Sequence, residues 1–186
     1  TVAEYVAQYS TQLASADSWV AVNNEYGSGK RKAIFSPFSP RIRGIDPQVN
    51  PGDWDNHQKA RSDALDRLTL DSDLLSLRWI AGLGEAAYWR FSNKERRPDH
   101  GASRWEMKTR NKGEEFVQHR LRPLCKELSK WSVEDISSGV IGATLRDTVG
   151  KNSADSRTST GFTPPGPADV ALTFAALWVF PVFQWY

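Results

Sequence analysis

The residue types in this chain that could do chemistry are concentrated between Lys94 and Trp131. The stretch reads KERRPDHGASRWEMKTRNKGEEFVQHRLRPLCKELSKW and carries eleven Lys or Arg: Lys94, Arg96, Arg97, Arg104, Lys108, Arg110, Lys112, Arg120, Arg122, Lys126 and Lys130. Six carboxylates (Glu95, Asp99, Glu106, Glu114, Glu115, Glu127) leave it at net +5, whereas the whole chain is only +2 and everything outside the stretch is −3. Concentrated charge matters more for binding than total charge. Trp105 and Trp131 are interleaved with the cations. Cations for phosphates and flat rings for stacking are what single-stranded nucleic acid asks for. The same composition also describes a solvated charged face of a helical domain with two tryptophans in its core, and the six acids dilute the patch. Within the stretch the candidate nucleic-acid contacts are Arg96, Arg97, Arg104, Trp105, Lys108, Arg110, Lys112, Arg120, Arg122 and Lys126. Lys108, Arg110 and Lys112 alternate with no carboxylate between them, so they could follow a run of phosphates.

Two further segments supply cations. Residues 23–44, NNEYGSGKRKAIFSPFSPRIRG, contain Lys30, Arg31, Lys32, Arg41 and Arg43 beside Phe35 and Phe38. GSGKRK there only superficially resembles a phosphate-cradling loop. The nucleotide-binding motif needs Ser or Thr after its lysine and a helix opening behind it. Here Arg31 follows Lys30, and Pro37 and Pro40 oppose a helix. Nucleotide hydrolysis is rejected; a flexible basic loop with two phenylalanines is the better description, and it could be a second nucleic-acid contact. Lys151 and Arg157, in a Ser/Thr/Gly/Pro-rich segment, complete the candidates.

No catalytic constellation stands out. His57, His100 and His119 are far apart in sequence and in no metal-ligand spacing, and each is expected on the surface or in a loop. Paired metal-binding carboxylates of the kind a nuclease needs and a GxSxG elbow are not visible. Cys125 is the only cysteine, so no internal disulfide and no cysteine-held zinc is possible, and its place on an apolar stripe makes it core. The chain is therefore expected to be no enzyme and to use no cofactor and no metal.

The elements that must position these residues are mainly helical: a helical bundle with long irregular loops and a short hairpin near residues 25–45. Val2, Tyr5, Val6, Tyr9 and Leu13 recur at helical spacing and predict a helix from Val2 to Ala16. Residues 45–56 read as turn-rich coil. A helix is predicted from Asp55 to Leu70, and a second, central one from Asp71 or Ser72 to Phe91, with Arg78 and Arg90 on one side. Asn93 to Lys112 reads as an extended loop. Glu114 and Glu115 favour a helix start, and Val117, Leu121, Leu124, Cys125 and Leu128 form an apolar stripe. His119, Arg122, Lys126 and Lys130 form a separate stripe, and Pro123 should kink or break that helix. A short helix follows from Val133, then a loop from Gly150 to Pro167, then an apolar helix from Ala168 to Tyr186.

Composition bounds the rest. The 186 residues suit about one domain, divided as an N-terminal helix and basic loop region, 1–56, and a helical domain, 57–186. The longest apolar run, Val170 to Phe183, is 14 residues and contains Pro181, too short for a bilayer that needs about 20 residues. A single cysteine fits a reducing, cytoplasmic setting. The chain opens on Thr1 with Met107 as its sole methionine, so a fragment is expected.

The segment GKNSADSRTSTGF (Gly150–Phe162), leading through PPGPADVALTFAALW (Pro164–Trp178), resembles the large-subunit proteins of type I CRISPR surveillance complexes, nearest to the I-G (formerly I-U) subtype. The segment Gly101–Leu124 is compatible with the same group, so the resemblance covers about the C-terminal half. It implies a non-catalytic, nucleic-acid-binding subunit of an RNA-guided antiviral defence complex in the bacterial cytoplasm. Its partners would be guide RNA or target DNA and other protein subunits, with no membrane, while a separate nuclease cuts. These subunits have no diagnostic catalytic motif, so no residue role is carried over. Two other readings stand beside it: a protein–protein scaffold subunit, and a fragment of a nuclease.

Overall fold

The computed structural model describes residues 1–27, 32–39, 50–84, 88–92, 95–99, 116–149 and 169–182. Among them the chain is mainly helical, with two short antiparallel hairpins. Helix α1 spans Val2–Ala14 and opens with a capping box: the Thr1 hydroxyl accepts from the Glu4 amide at 3.3 Å, and the Glu4 carboxylate accepts from the Thr1 nitrogen. Val6, Tyr9 and Leu13 are buried as the spacing predicts, together with Ala3 and Ser10, whereas Val2 and Tyr5 of the predicted stripe are exposed, because the buried face is centred on Val6, Tyr9 and Leu13 and turns them outward. The helix stops two residues earlier than that spacing suggests, because Ser15 is extended and the Ser18 hydroxyl donates to the Leu13 carbonyl at 2.7 Å. Orphan carbonyls at a helix end need such partners.

The predicted hairpin is present as β1, Asn24–Tyr26, paired with β2, Ala33–Phe35, with Glu25 opposite Ile34. Helix α2 then runs Pro51–Leu70, four residues longer at its start than expected. Pro51, Gly52 and Asp53 suggest a turn in sequence. Proline in the first helical turn loses no needed hydrogen bond and presets φ, and the Asn50 side chain caps the Asp53 amide at 3.4 Å. The division at residue 56 therefore falls inside one helix.

Helix α3, Leu74–Leu83, is capped by Asp73, which accepts from both the amide (3.0 Å) and the hydroxyl (2.6 Å) of Ser76. It ends at Leu83, not Phe91, because Gly84 adopts φ 85° and ψ −164°, a region open essentially to glycine. Beyond it β3, Tyr88–Ser92, pairs antiparallel with β4, Glu95–Asp99, so the first part of the expected loop is a strand. Arg78 and Arg90 consequently belong to different elements.

A π-helical turn, Val117–Leu121, leads without a break into α4, Arg122–Leu128. The break expected at Pro123 is replaced by this wider turn. A proline ring clashes with the carbonyl four residues earlier, and here the Arg122 amide bonds five residues back, to Val117, which opens the turn for the ring. Val117, Leu121, Leu124, Cys125 and Leu128 are all buried, as their spacing predicts. Helix α5, Val133–Val140, is capped by the Ser132 hydroxyl at 3.1 Å from the Asp135 amide, and α6 spans Val170–Val182.

One core joins these helices. Helix α1 packs on α4, α5 and α6, and α3 packs on α6. The Trp79 ring lies between Tyr9 (6.1 Å) and Phe174 (5.4 Å), and the Tyr9 hydroxyl meets the Ser76 hydroxyl at 3.2 Å. Asp169, itself buried, ties the start of α6 to the chain after α5. Its carboxylate accepts from the amides of Ala171 and Arg146, each at 2.8 Å, and the Val170 amide donates to the Arg146 carbonyl at 3.1 Å. Gly139 permits this approach, since a Cβ there would lie 2.2 Å from Asp169 Oδ1. The carboxylate cannot retreat without releasing two amides. Gly139→Ala should therefore destabilise the fold by about 1–3 kcal/mol, lowering Tm by roughly 2–4 °C per kcal/mol for a chain of this size. An unchanged Tm would show that the α5–α6 approach is loose.

Candidate nucleic-acid interface

Eleven of the sequence candidates lie outside the described residues: Lys30, Arg31, Arg41, Arg43, Arg104, Trp105, Lys108, Arg110, Lys112, Lys151 and Arg157. The predicted loop of 150–167 and the helix start at Glu114–Glu115 lie outside them too, as does His100. Arg96 and Arg97 stand in β4, in register with Phe91 and Arg90 of β3. Lys32 is paired with Glu25 on the first hairpin at 2.7 Å.

The structure brings one group of cations together. From the π-turn through α4, the buried stripe Val117, Leu121, Leu124, Cys125 and Leu128 turns one side of the helix to the core. Periodicity of 3.6 residues then places His119, Arg120, Lys126 and Lys130 outward, and all four are exposed. Lys126 lies on α4 and Lys130 in the turn that follows its end at Leu128. Between Phe116 and Trp131 there are four cations and one carboxylate. That carboxylate, Glu127, accepts from Lys130 at 2.9 Å, which holds its pKa below the ordinary value. A surface pair of this kind contributes about 0–1 kcal/mol, so an incoming phosphate can compete for the lysine.

Arg122, on the same stripe, is half-buried and serves a different contact. Its guanidinium donates to Gln118 Oε1 at 2.9 Å, while Gln118 Nε2 donates to the carbonyls of Val20 (2.7 Å) and Val22 (3.1 Å). Gln118 thereby stitches the segment after α1 to the π-turn and fixes the cationic face relative to the core. Nothing in the sequence marks this glutamine. Trp131 is half-buried at the end of the face, donating to Glu127 at 3.4 Å, with the Arg146 guanidinium 5.3 Å from its ring. Arg146 also pairs with Asp135 at 2.6 Å, which lowers the pKa of that carboxyl.

The expectation of a surface histidine fails at His57, which is fully buried on α2. The rings of Tyr26 and Phe35 (each 5.6 Å) and Trp54 (6.4 Å) enclose it. Trp54 and His57, three residues apart on one helical face, are the only sequence signal of this cluster. Burial, with Arg61 nearby, lowers the imidazole pKa to about 4. Cys125 is buried and its thiol pKa is raised by that burial, opposite to what a nucleophile requires. Among the described residues no group of three or more His, Cys, Asp or Glu could hold a metal ion. No helix among them is long and apolar enough to cross a membrane.

Two measurements check this geometry. Gln118→Ala should cost about 1–3 kcal/mol in urea unfolding, because two carbonyls and Arg122 lose their partner. Cys125 should react with a thiol reagent at pH 8 only as fast as the chain opens, and fast labelling of the folded protein would place it at the surface. No family model matches this chain, and neither does any curated protein or solved structure.

Proposed function

We propose that the chain is a non-catalytic nucleic-acid-binding subunit that holds phosphates on the outer side of the π-turn and α4. The observation that carries this reading is the exposure of Arg120 in the π-turn, Lys126 on α4 and Lys130 in the turn after it, while the stripe Val117, Leu121, Leu124, Cys125 and Leu128 of the same segment is core. The chain immediately before it, with Trp105, Lys108, Arg110 and Lys112, supplies more cations and a ring. Concentration on one face converts a small net charge into a local field. The RNA-guided defence complex in a bacterial cytoplasm, with guide RNA or target DNA and other subunits as partners, enters through the resemblance of the C-terminal half.

Salt dependence tests the phosphate contacts. Replacing Arg120, Lys126 and Lys130 by Ala should weaken binding to DNA or RNA about equally for all sequences. It should also flatten the salt slope by about 0.7–0.9 per lost contact. Lys108, Arg110 and Lys112 to Ala should act the same way. Trp105→Ala should cost about 1–3 kcal/mol with the slope nearly unchanged if the ring stacks on a base. Unaltered affinity in both triple variants, with the fold intact, would remove this reading.

A protein–protein scaffold is the second reading, and one observation favours it. Ile141 and Leu145, around the turn after α5, are 74% and 61% exposed, and Leu172 on the first turns of α6 is 44% exposed. Scattered single apolar residues need no explanation, but here the Arg146–Val170 hydrogen bond brings the two segments side by side. Ile141→Asp with Leu145→Asp should abolish co-purification of a partner subunit while leaving the salt slope for nucleic acid intact.

A further inference from the structure

His57 has no part in the reading above, and its surroundings are unusual. The β1–β2 hairpin rests on α2 through a ring cluster: Tyr26 stacks on Phe35 at 4.5 Å, and both lie near the imidazole, as does Trp54 at 6.4 Å. One hydrogen bond reinforces this seat, from the Gly27 amide to Asp53 Oδ2 at 2.9 Å. Inside the cluster His57 Nε2 has no hydrogen-bond partner, and Nδ1 lies 3.3 Å from the Gln58 amide nitrogen. Neutral imidazole accepts there, whereas protonated imidazole must donate from both nitrogens. A proton would thus set two N–H groups facing each other at Nδ1 and leave a cation unpartnered at Nε2.

The charged groups around the ring offer no relief. From the hairpin the titratable group facing it is the Tyr26 phenol, which burial keeps protonated, its pKa raised. On α2, Arg61 opposes a second positive charge. Asp53 is engaged by Gly27 and Asn50, and Glu25 by Lys32. The helical core is built around α1, α3, α4, α5 and α6, with Phe38 in it and Ala64, Leu65 and Leu68 of α2 packed against it, and no histidine is among its described residues.

We propose that His57 is a proton-operated latch: uncharged it seats the β1–β2 hairpin on α2, and on protonation the hairpin lifts while the helical core stays folded. The sign follows from linkage. A histidine whose pKa is lowered by burial binds its proton more weakly in the closed state than in the open one. The latch is therefore closed above the ordinary histidine pKa and weakens as pH falls below it.

Hydrogen exchange of the full chain tests this, with intrinsic rates corrected for pH. With closed and open values of about 4 and 6.5, the hairpin opening constant should rise about thirtyfold from pH 8 to pH 5. Amides of α4 should keep their protection over that range. His57→Phe keeps the ring cluster filled and should leave hairpin protection independent of pH. Equal hairpin protection at pH 8 and pH 5 in the parent chain would overturn the latch. So would the same pH-dependent loss in His57→Phe, or loss of protection in α4 together with the hairpin. Were His57→Phe unfolded, the comparison of hairpin with α4 in the parent chain decides alone.

Discussion

The packing around Trp79 is the interaction on which the rest of the helical arrangement depends. Its indole is 1% exposed and brings three helices to one point: α3, which carries it, α1 through Tyr9, and α6 through Phe174. A buried aromatic removes some 150–250 Å² from water, at roughly 25 cal/mol per Å². Its Nε1 has no hydrogen-bond partner, a cost of about 1–3 kcal/mol. Burial exceeds that cost, so the apolar contact holds the site even with one donor unmet.

Around this point a few polar side chains set the distances between elements. Asp169 binds two backbone amides on different segments, Gly139 leaves room for it, and Gln118 binds two carbonyls after α1. Each satisfies groups that secondary structure leaves orphaned, which the interior requires. These contacts are directional where the apolar core is not. They fix how far the π-turn and α4 are rotated, and hence that Arg120, Lys126 and Lys130 are exposed.

The two described histidines lie in opposite environments. His119 is exposed on the cationic face. His57 sits where a charge has neither water nor a partner. The hairpin packs on the second of these and the π-turn carries the first.

Local signals in the sequence determined much of the fold. Thr1 with Glu4, and Ser132 with Asp135, are caps whose reach is a few residues, so α1 and α5 begin where the sequence places them. The stripe from Val117 to Leu128 needs only the 3.6-residue period to put Cys125 in the core and Lys126 outside. The helical class and the hairpin near residues 25–45 follow from the same short-range rules. Where two local tendencies competed, the sequence could not choose. Pro51 could begin a turn or a helix, and the Asn50 cap decided. Gly82 and Gly84 both weaken a helix, and the backbone of Gly84 alone ended it. Tertiary structure alone decided the burial of His57, because Tyr26 and Phe35 arrive from about thirty and twenty residues earlier in the chain. The same holds for Gln118, whose acceptors lie 98 and 96 residues away. Period and propensity act over a few residues, while a side chain's solvent and partners are set by whatever the folded chain brings against it.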